Sequence, residues 1–159
     1  MRRRLLAEFT GTGLLVAVVV GSGIAATRLT GDGALRLLVN SSVTVLGLAV
    51  LIVVFAPAGG AHFNPVVTGA DWILSRGTPR GYGLGEASAV IGCQVAGAVA
   101  GAALADAMFA VPELAFTAST SFANPAVTIG RMLPSTYAGI APAPAGQPAA
   151  TQEPARLAG

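Results

Sequence analysis

Three long apolar stretches determine what this 159-residue chain can fold into. Residues 5–26 contain one charge, Glu8, residues 37–58 contain none, and residues 87–105 are uncharged. A helix needs about 20 apolar residues to cross the hydrocarbon core of a bilayer, so each stretch is long enough. Only 10% of the residues are charged and the mean hydropathy is +0.72. The sequence therefore predicts an all-α membrane protein with three transmembrane helices.

The arginines predict an orientation in the membrane. Basic residues favour cytoplasmic loops, and five arginines on one predicted side (Arg2, Arg3, Arg4, Arg76 and Arg80) outnumber two on the other (Arg28 and Arg36). We therefore expect a multi-pass protein of the plasma or inner membrane with a cytoplasmic N-terminus. A cleaved signal peptide at residues 1–26 is the alternative, although its apolar core would be about 7–15 residues long, shorter than this one.

Two short segments of the chain are nearly alike, and we call them the Asn-Pro boxes. They are Asn64-Pro65-Val66 and Asn124-Pro125-Ala126, and each continues with a Val and a Thr. An Asn side chain caps a helix and Pro fits its first turn, so each box predicts a helix start. The runs that follow, residues 64–75 and 124–133, are too short to cross a bilayer. Irregular backbone at membrane depth must be buried in protein or line a cavity, so we expect two re-entrant half-helices.

The boxes and their surroundings resemble the major intrinsic protein family, the aquaporins and glycerol facilitators. The opening Ala7-Glu8-Phe9-Thr10-Gly11-Thr12 and the segment Gly60-Ala61-His62-Phe63 before the first box strengthen the resemblance. It implies an inverted-repeat helical bundle and a passive channel for water or small neutral solutes such as glycerol, urea or neutral metalloid acids. It also implies a homo-oligomer, by resemblance a tetramer, in the lipid bilayer. No enzymatic activity, cofactor, metal or nucleic-acid partner is expected.

The resemblance also implies roles for individual residues. Asn64 and Asn124 would donate hydrogen bonds to a passing solute, while Pro65-Val66 and Pro125-Ala126 would stack the half-helices end to end. Glu8 would be a buried carboxylate that accepts backbone N–H groups of a re-entrant loop, or else a residue that snorkels to the membrane interface. His62 would lie beside the pore wall, or would be an ordinary hydrogen-bonded loop histidine.

The outer filter of the pore departs from the family pattern. Family members usually carry Arg directly after the second box, where this chain has Val127. By their offsets, Thr44 and Ser121 would be two further filter residues, and both are small. A filter of Thr44, Ser121 and Val127 would be wide, which favours solutes larger than water.

The inverted-repeat pattern of spans and half-helices is incomplete in the second half of the chain. Only 17 residues separate Asp106 from Asn124, too few for two spans of about 20 residues each. We therefore expect a membrane domain over residues 1–133 with three spans and two half-helices, followed by a disordered Pro/Ala-rich tail over 134–159. A non-conducting remnant or membrane interaction subunit is the alternative function. A proton-coupled exporter is disfavoured, because the only carboxylate within the spans, Glu8, lies near one end.

Overall fold

The computed structural model describes residues 1–109 and 124–130. Three long helices, α1 (Arg2–Leu29), α2 (Gly33–Gly59) and α4 (Leu84–Phe109), are accompanied by two short ones, α3 (Pro65–Leu74) and α5 (Pro125–Gly130). Each long helix is long and apolar enough to cross a membrane. Within the described residues all regular structure is helical, which confirms the expected all-α membrane fold with three transmembrane helices.

The sequence expectations map onto these helices as follows. The predicted spans 5–26, 37–58 and 87–105 lie inside α1, α2 and α4, and helices begin directly after Asn64 and Asn124. Ser121, residues 131–133 of the second expected half-helix and the expected tail over 134–159 lie outside the described residues.

The segment between α2 and α4 enters the bundle and returns to the same end. The end of α2 lies beside the start of α1, where a Cβ on Gly59 would contact Arg4. The chain then enters the bundle, because the Phe63 ring packs against Gly11 of α1. Gly11 lies about 10 Å from Arg4 along the axis of α1, as the helical rise per residue gives. Helix α3 brings the chain back, since Asp71 lies 3.9 Å from Arg4. Residues 60–74 are therefore a re-entrant segment.

Small residues allow α1 and α4 to pack backbone against backbone. A Cβ added at Gly97 would collide with the carbonyl oxygen of Phe9, and one at Gly101 would collide with that of Gly13. Apolar side chains of both helices, such as Val16, Val20 and Ala98, then close the core around this contact. Packing of this kind is typical of membrane helices, which cannot rely on a hydrophobic driving force in lipid.

Helix α2 packs on one side only. Its Asn40 amide donates to the carbonyl oxygen of Val19 (2.8 Å) and to Ser22 Oγ (3.0 Å), and a Cβ on Gly47 would lie against Val18 of α1. In its most apolar 18-residue window only 6% of the residues are buried. The other side of α2 is therefore an apolar surface open to lipid or to another helix.

The close contact between α1 and α4 predicts that Gly101 cannot be enlarged. We expect Gly101→Ala to force the helices apart and to destabilise the protein by about 1–3 kcal/mol, as overpacking does. Gly92 of the same helix is exposed with no atom within 4 Å of an added Cβ, so Gly92→Ala is the matched control and should not destabilise. Thermal unfolding in detergent, followed by circular dichroism, measures both; equal melting temperatures would contradict the packing described.

Candidate functional site

A buried carboxylate of α1 binds the backbone of the re-entrant loop. The Glu8 side chain has no exposed surface, and its two oxygens accept hydrogen bonds from the backbone N–H groups of His62 and Phe63, both at 2.8 Å. A charge is tolerated in an apolar interior only when hydrogen bonds replace its hydration. These two bonds also satisfy two backbone donors that have no helix or strand partner at this depth.

The loop that Glu8 binds has an unusual backbone. Gly60, Ala61 and Phe63 have φ values of 91°, 53° and 47°, and the left-handed region is uncommon for residues other than glycine. Each such non-glycine residue costs on the order of 1–3 kcal/mol, so surrounding contacts must hold it. The buried Phe63 ring supplies further contacts, because it packs against Gly11 and meets the ring of Phe55 edge-on at 6.0 Å.

A fully buried amide of α4 connects Glu8 to the first half-helix. Gln94 Nε2 donates to Glu8 Oε2 and to Thr68 Oγ1, both at 2.8 Å. Thr68 Oγ1 also lies 3.1 Å from His62 Nδ1. No role for Gln94 or Thr68 follows from our sequence analysis, although a lone amide inside the apolar stretch 87–105 was an available signal. The four side chains together join α1, the loop, α3 and α4.

The first Asn-Pro box begins α3 with a side-chain cap. Asn64 has extended backbone angles (φ −152°, ψ 121°), its Oδ1 accepts from the N–H of Val66 at 2.9 Å, and Pro65 occupies the first turn. The Val66 side chain is 57% exposed, so it is not enclosed by the described part of the second half-helix.

The second Asn-Pro box repeats the cap and contacts the first loop directly. Asn124 Oδ1 accepts from the N–H groups of Ala126 (3.2 Å) and Val127 (3.4 Å). Its Nδ2 donates to the carbonyl oxygen of Phe63 at 2.6 Å. The two boxes, 60 positions apart in the sequence, therefore meet inside the bundle.

The three expected filter residues are not brought together within the described residues. Val127 is 8% exposed and packs in the apolar core with Ala126. Thr44 lies on α2 between Asn40 and Gly47, which contact α1, and its hydroxyl oxygen is covered without a hydrogen-bond partner in the described part of the chain. Ser121 lies outside the described residues. The filter therefore stays a prediction.

A cavity of about 630 Å³ opens at the end of the bundle that carries the N-terminus, and we call it the vestibule. His62 reaches it from the loop, and its Nε2 lies 3.7 Å from Asp71 Oδ2. Arg4, Arg80 and Tyr82 line it as well. Among the described residues there is no group of three or more His, Cys, Asp or Glu that could hold a metal ion.

A polar network ties the vestibule wall together. Arg4 lies 3.3 Å from Glu86, 3.9 Å from Asp71 and 4.4 Å above the Tyr82 ring. The Tyr82 hydroxyl lies 2.9 Å from Asp71 Oδ2 and 3.2 Å from the carbonyl oxygen of Thr68. Burial raises the pKa of Tyr82, and the hydrogen bond to Asp71 raises it further while Arg4 opposes both. The phenol therefore stays a donor and fixes α3 against the start of α4.

This arrangement defines a class of membrane protein. Spanning helices packed against two Asn-capped helix starts that lie close together are typical of a channel for small solutes. A model of the family described as "Major intrinsic protein" matches residues 1–133, and the chain belongs to this family of channels for water and small solutes.

Three curated relatives illustrate the similarity. An aquaglyceroporin of Rhizobium meliloti is 38% identical over 192 residues, covering 89% of this chain and 80% of the relative. Aquaporin A of Dictyostelium discoideum is 34% identical over 97 residues, and the glycerol uptake facilitator of Escherichia coli is 36% identical over 104. The matches to the latter two cover 61% and 65% of this chain but only 33% and 34% of those relatives.

The Rhizobium alignment also shows a length difference. The aligned stretch is 192 residues long, whereas 89% of the 159 residues of this chain is about 142. About 50 positions of the stretch (192 minus 142) therefore have no counterpart here. That length is close to two membrane spans with their connections.

The geometry around Glu8 predicts a large effect of a small substitution. We expect Glu8→Gln to destabilise the protein by about 2 kcal/mol or more, because an amide NH₂ would face a backbone N–H and leave a buried donor unsatisfied. Glu86→Gln is the matched control, since a partly exposed ion pair contributes less than about 1 kcal/mol. Thermal unfolding in detergent compares the two variants; an equal loss in both would show that the buried carboxylate has no special role.

Proposed function

We propose that this chain forms a passive pore for small uncharged solutes, including water and molecules of the size of glycerol. The observation that carries the proposal is the contact of Asn124 Nδ2 with the Phe63 carbonyl oxygen, which brings both Asn-Pro boxes to one point of the bundle. Asn64 and Asn124 would donate hydrogen bonds to the oxygen of a passing solute there. The positive ends of two helix dipoles at the same point disfavour protons and other cations.

The residue after the second box favours solutes larger than water. Val127 replaces the Arg that usually narrows the pore in this family, so a fixed charge and five N–H donors are absent at that position. With Thr44 and Ser121 as the other filter residues, the constriction would be wide and weakly selective. Support also comes from the names of two relatives, an aquaglyceroporin and a glycerol uptake facilitator.

The wall of the pore has to be completed for such a function. In the described part of the chain three spanning helices accompany two half-helices, and α2 is almost entirely uncovered on one side. We propose assembly as a homo-oligomer, a tetramer by family resemblance, in the cell membrane with a cytoplasmic N-terminus. The same exposure of α2, with about 50 positions lacking relative to the Rhizobium protein, favours a non-conducting membrane subunit as the second candidate.

Transport by the purified chain in liposomes separates these candidates. We expect stopped-flow light scattering to show water and glycerol uptake above that of empty vesicles, and Asn124→Asp to abolish it. The carboxylate would keep the helix cap but lose the donor to Phe63 and add a negative charge at the constriction. Gly92→Ala, on α4 with no atom within 4 Å of an added Cβ, is the control and should conduct normally. Uptake no faster than in empty vesicles would instead support the non-conducting subunit.

The filter assignment predicts a change of selectivity at Val127. We expect Val127→Arg to reduce glycerol permeability by about tenfold or more relative to water, because a bulky guanidinium narrows the constriction. The ratio of glycerol to water permeability in the same liposome assay measures this change, with Val127→Leu as an uncharged control of larger size. An unchanged ratio in Val127→Arg would mean that residue 127 does not line the path.

A further inference from the structure

Four arginines at the N-terminal end of the bundle are exposed and make no contact with the polar network of the vestibule wall, although one of them, Arg80, lines the vestibule. They are Arg2, Arg3, Arg76 and Arg80, and we call them the arginine rim. None of them forms an ion pair within residues 1–109 and 124–130. The two carboxylates beside them, Asp71 and Glu86, are within ion-pair distance of Arg4 instead.

The arginines at the opposite end of the bundle are in a different environment. There Arg28 donates to the carbonyl oxygen of Phe109 at 2.7 Å, and Arg36 donates to that of Thr30 at 2.7 Å. Both guanidinium groups are therefore engaged with backbone. Two carboxylates, Asp32 and Asp106, also balance the two arginines at this end, so an excess of positive charge is found only at the N-terminal end of the described bundle.

Exposed apolar side chains lie directly beside the arginine rim. Ile73 and Leu74 at the end of α3 are 58% and 80% exposed, and they are followed within two residues by Arg76. On α1, Leu6 is exposed one turn after Arg2 and Arg3. The Arg76 guanidinium lies 3.7 Å from the centre of the Trp72 ring, and tryptophan is enriched at the membrane–water interface. An arginine stacked on Trp72 beside exposed apolar side chains fits the level of a bilayer where acyl chains give way to headgroups.

We propose that the arginine rim binds the phosphate-containing headgroups of anionic phospholipids, with Arg76 as the central contact. A guanidinium presents a rigid fork of N–H donors that matches phosphate oxygens. Stacking on Trp72 holds that fork in place, so less side-chain freedom is lost when a headgroup binds. Ile73 and Leu74 contact the acyl chains of the same lipid. The apolar neighbours favour a lipid over free phosphate, which would gain nothing from them.

The single tryptophan of the chain makes this proposal directly measurable. Trp72 is the only Trp, so its fluorescence reports on lipids around Arg76 alone. The full chain is reconstituted in phosphatidylcholine bilayers that contain a fixed fraction of brominated phosphatidylglycerol or, separately, of brominated phosphatidylcholine. We expect stronger quenching by the brominated anionic lipid, equivalent to about fivefold enrichment at this site, the factor that about 1 kcal/mol per arginine provides. The enrichment should fall as salt is added.

Two variants and one competitor complete the test. Arg76→Gln should remove most of the preference for the anionic lipid, and the double variant Arg2→Gln/Arg3→Gln should lower it by less while leaving the Arg76–Trp72 stack in place. Arg36→Gln, at the other end of the bundle, is the control and should leave it unchanged. Equal quenching by the two brominated lipids in the parent protein would overturn the proposal. Loss of the preferential quenching by the anionic lipid on addition of millimolar inorganic phosphate would also overturn the proposal and would indicate a site for free anions.

Discussion

The fold depends on one interaction, the pair of hydrogen bonds from the loop backbone at His62 and Phe63 to the carboxylate of Glu8. A chain that turns back inside a membrane leaves backbone donors without helix partners, and each unsatisfied group in hydrocarbon costs several kcal/mol. A carboxylate can accept both donors at once, because its two oxygens each carry free lone pairs. The loop can therefore remain at depth in a left-handed conformation that it would not adopt by itself.

The rest of the site is positioned through this loop. The carbonyl oxygen of Phe63 faces the second half of the site and accepts from Asn124, so the position of the second Asn-Pro box depends on the backbone that Glu8 holds. The close approach of α1 and α4 also helps to position the site. Gly11 makes room for the Phe63 ring, and Gly97 and Gly101 let α4 bring Gln94 within reach of Glu8.

Much of the architecture could be predicted from local sequence, because its causes are local. Three spans follow from the length of apolar runs, and helix starts at Pro65 and Pro125 follow from the capping preference of Asn and the fixed φ of Pro. Contacts between distant segments could not be found this way. Gln94 and Thr68 gain their roles only when α3 and α4 are packed, so the lone amide in an apolar stretch and the Thr after the first box do not by themselves reveal their partners.

The predicted filter illustrates the limit of inference by position. Thr44 was assigned by its offset in the sequence, yet its hydroxyl oxygen is covered, and Asn40 and Gly47 on either side of it contact α1. Which side of a lipid-embedded helix faces the pore depends on its neighbours, and α2 has few of them in the described part of the chain. Val127 lies in the first turn of α5 and is buried in the apolar core, so its position at the filter also stays a prediction.

The exchange of individual backbone amide hydrogens with water tests the central role of Glu8 most directly. Proton-detected solid-state NMR of the chain in lipid bilayers can follow the backbone N–H groups of His62 and Phe63, with the exposed loop residue Gly77 as an internal reference. Both N–H groups are bound to a buried carboxylate, so their hydrogens should exchange at least a hundredfold more slowly than that of Gly77. This factor corresponds to a free energy of local opening of about 3 kcal/mol. Exchange as fast as that of Gly77 would contradict the account and would mean that Glu8 does not hold the loop.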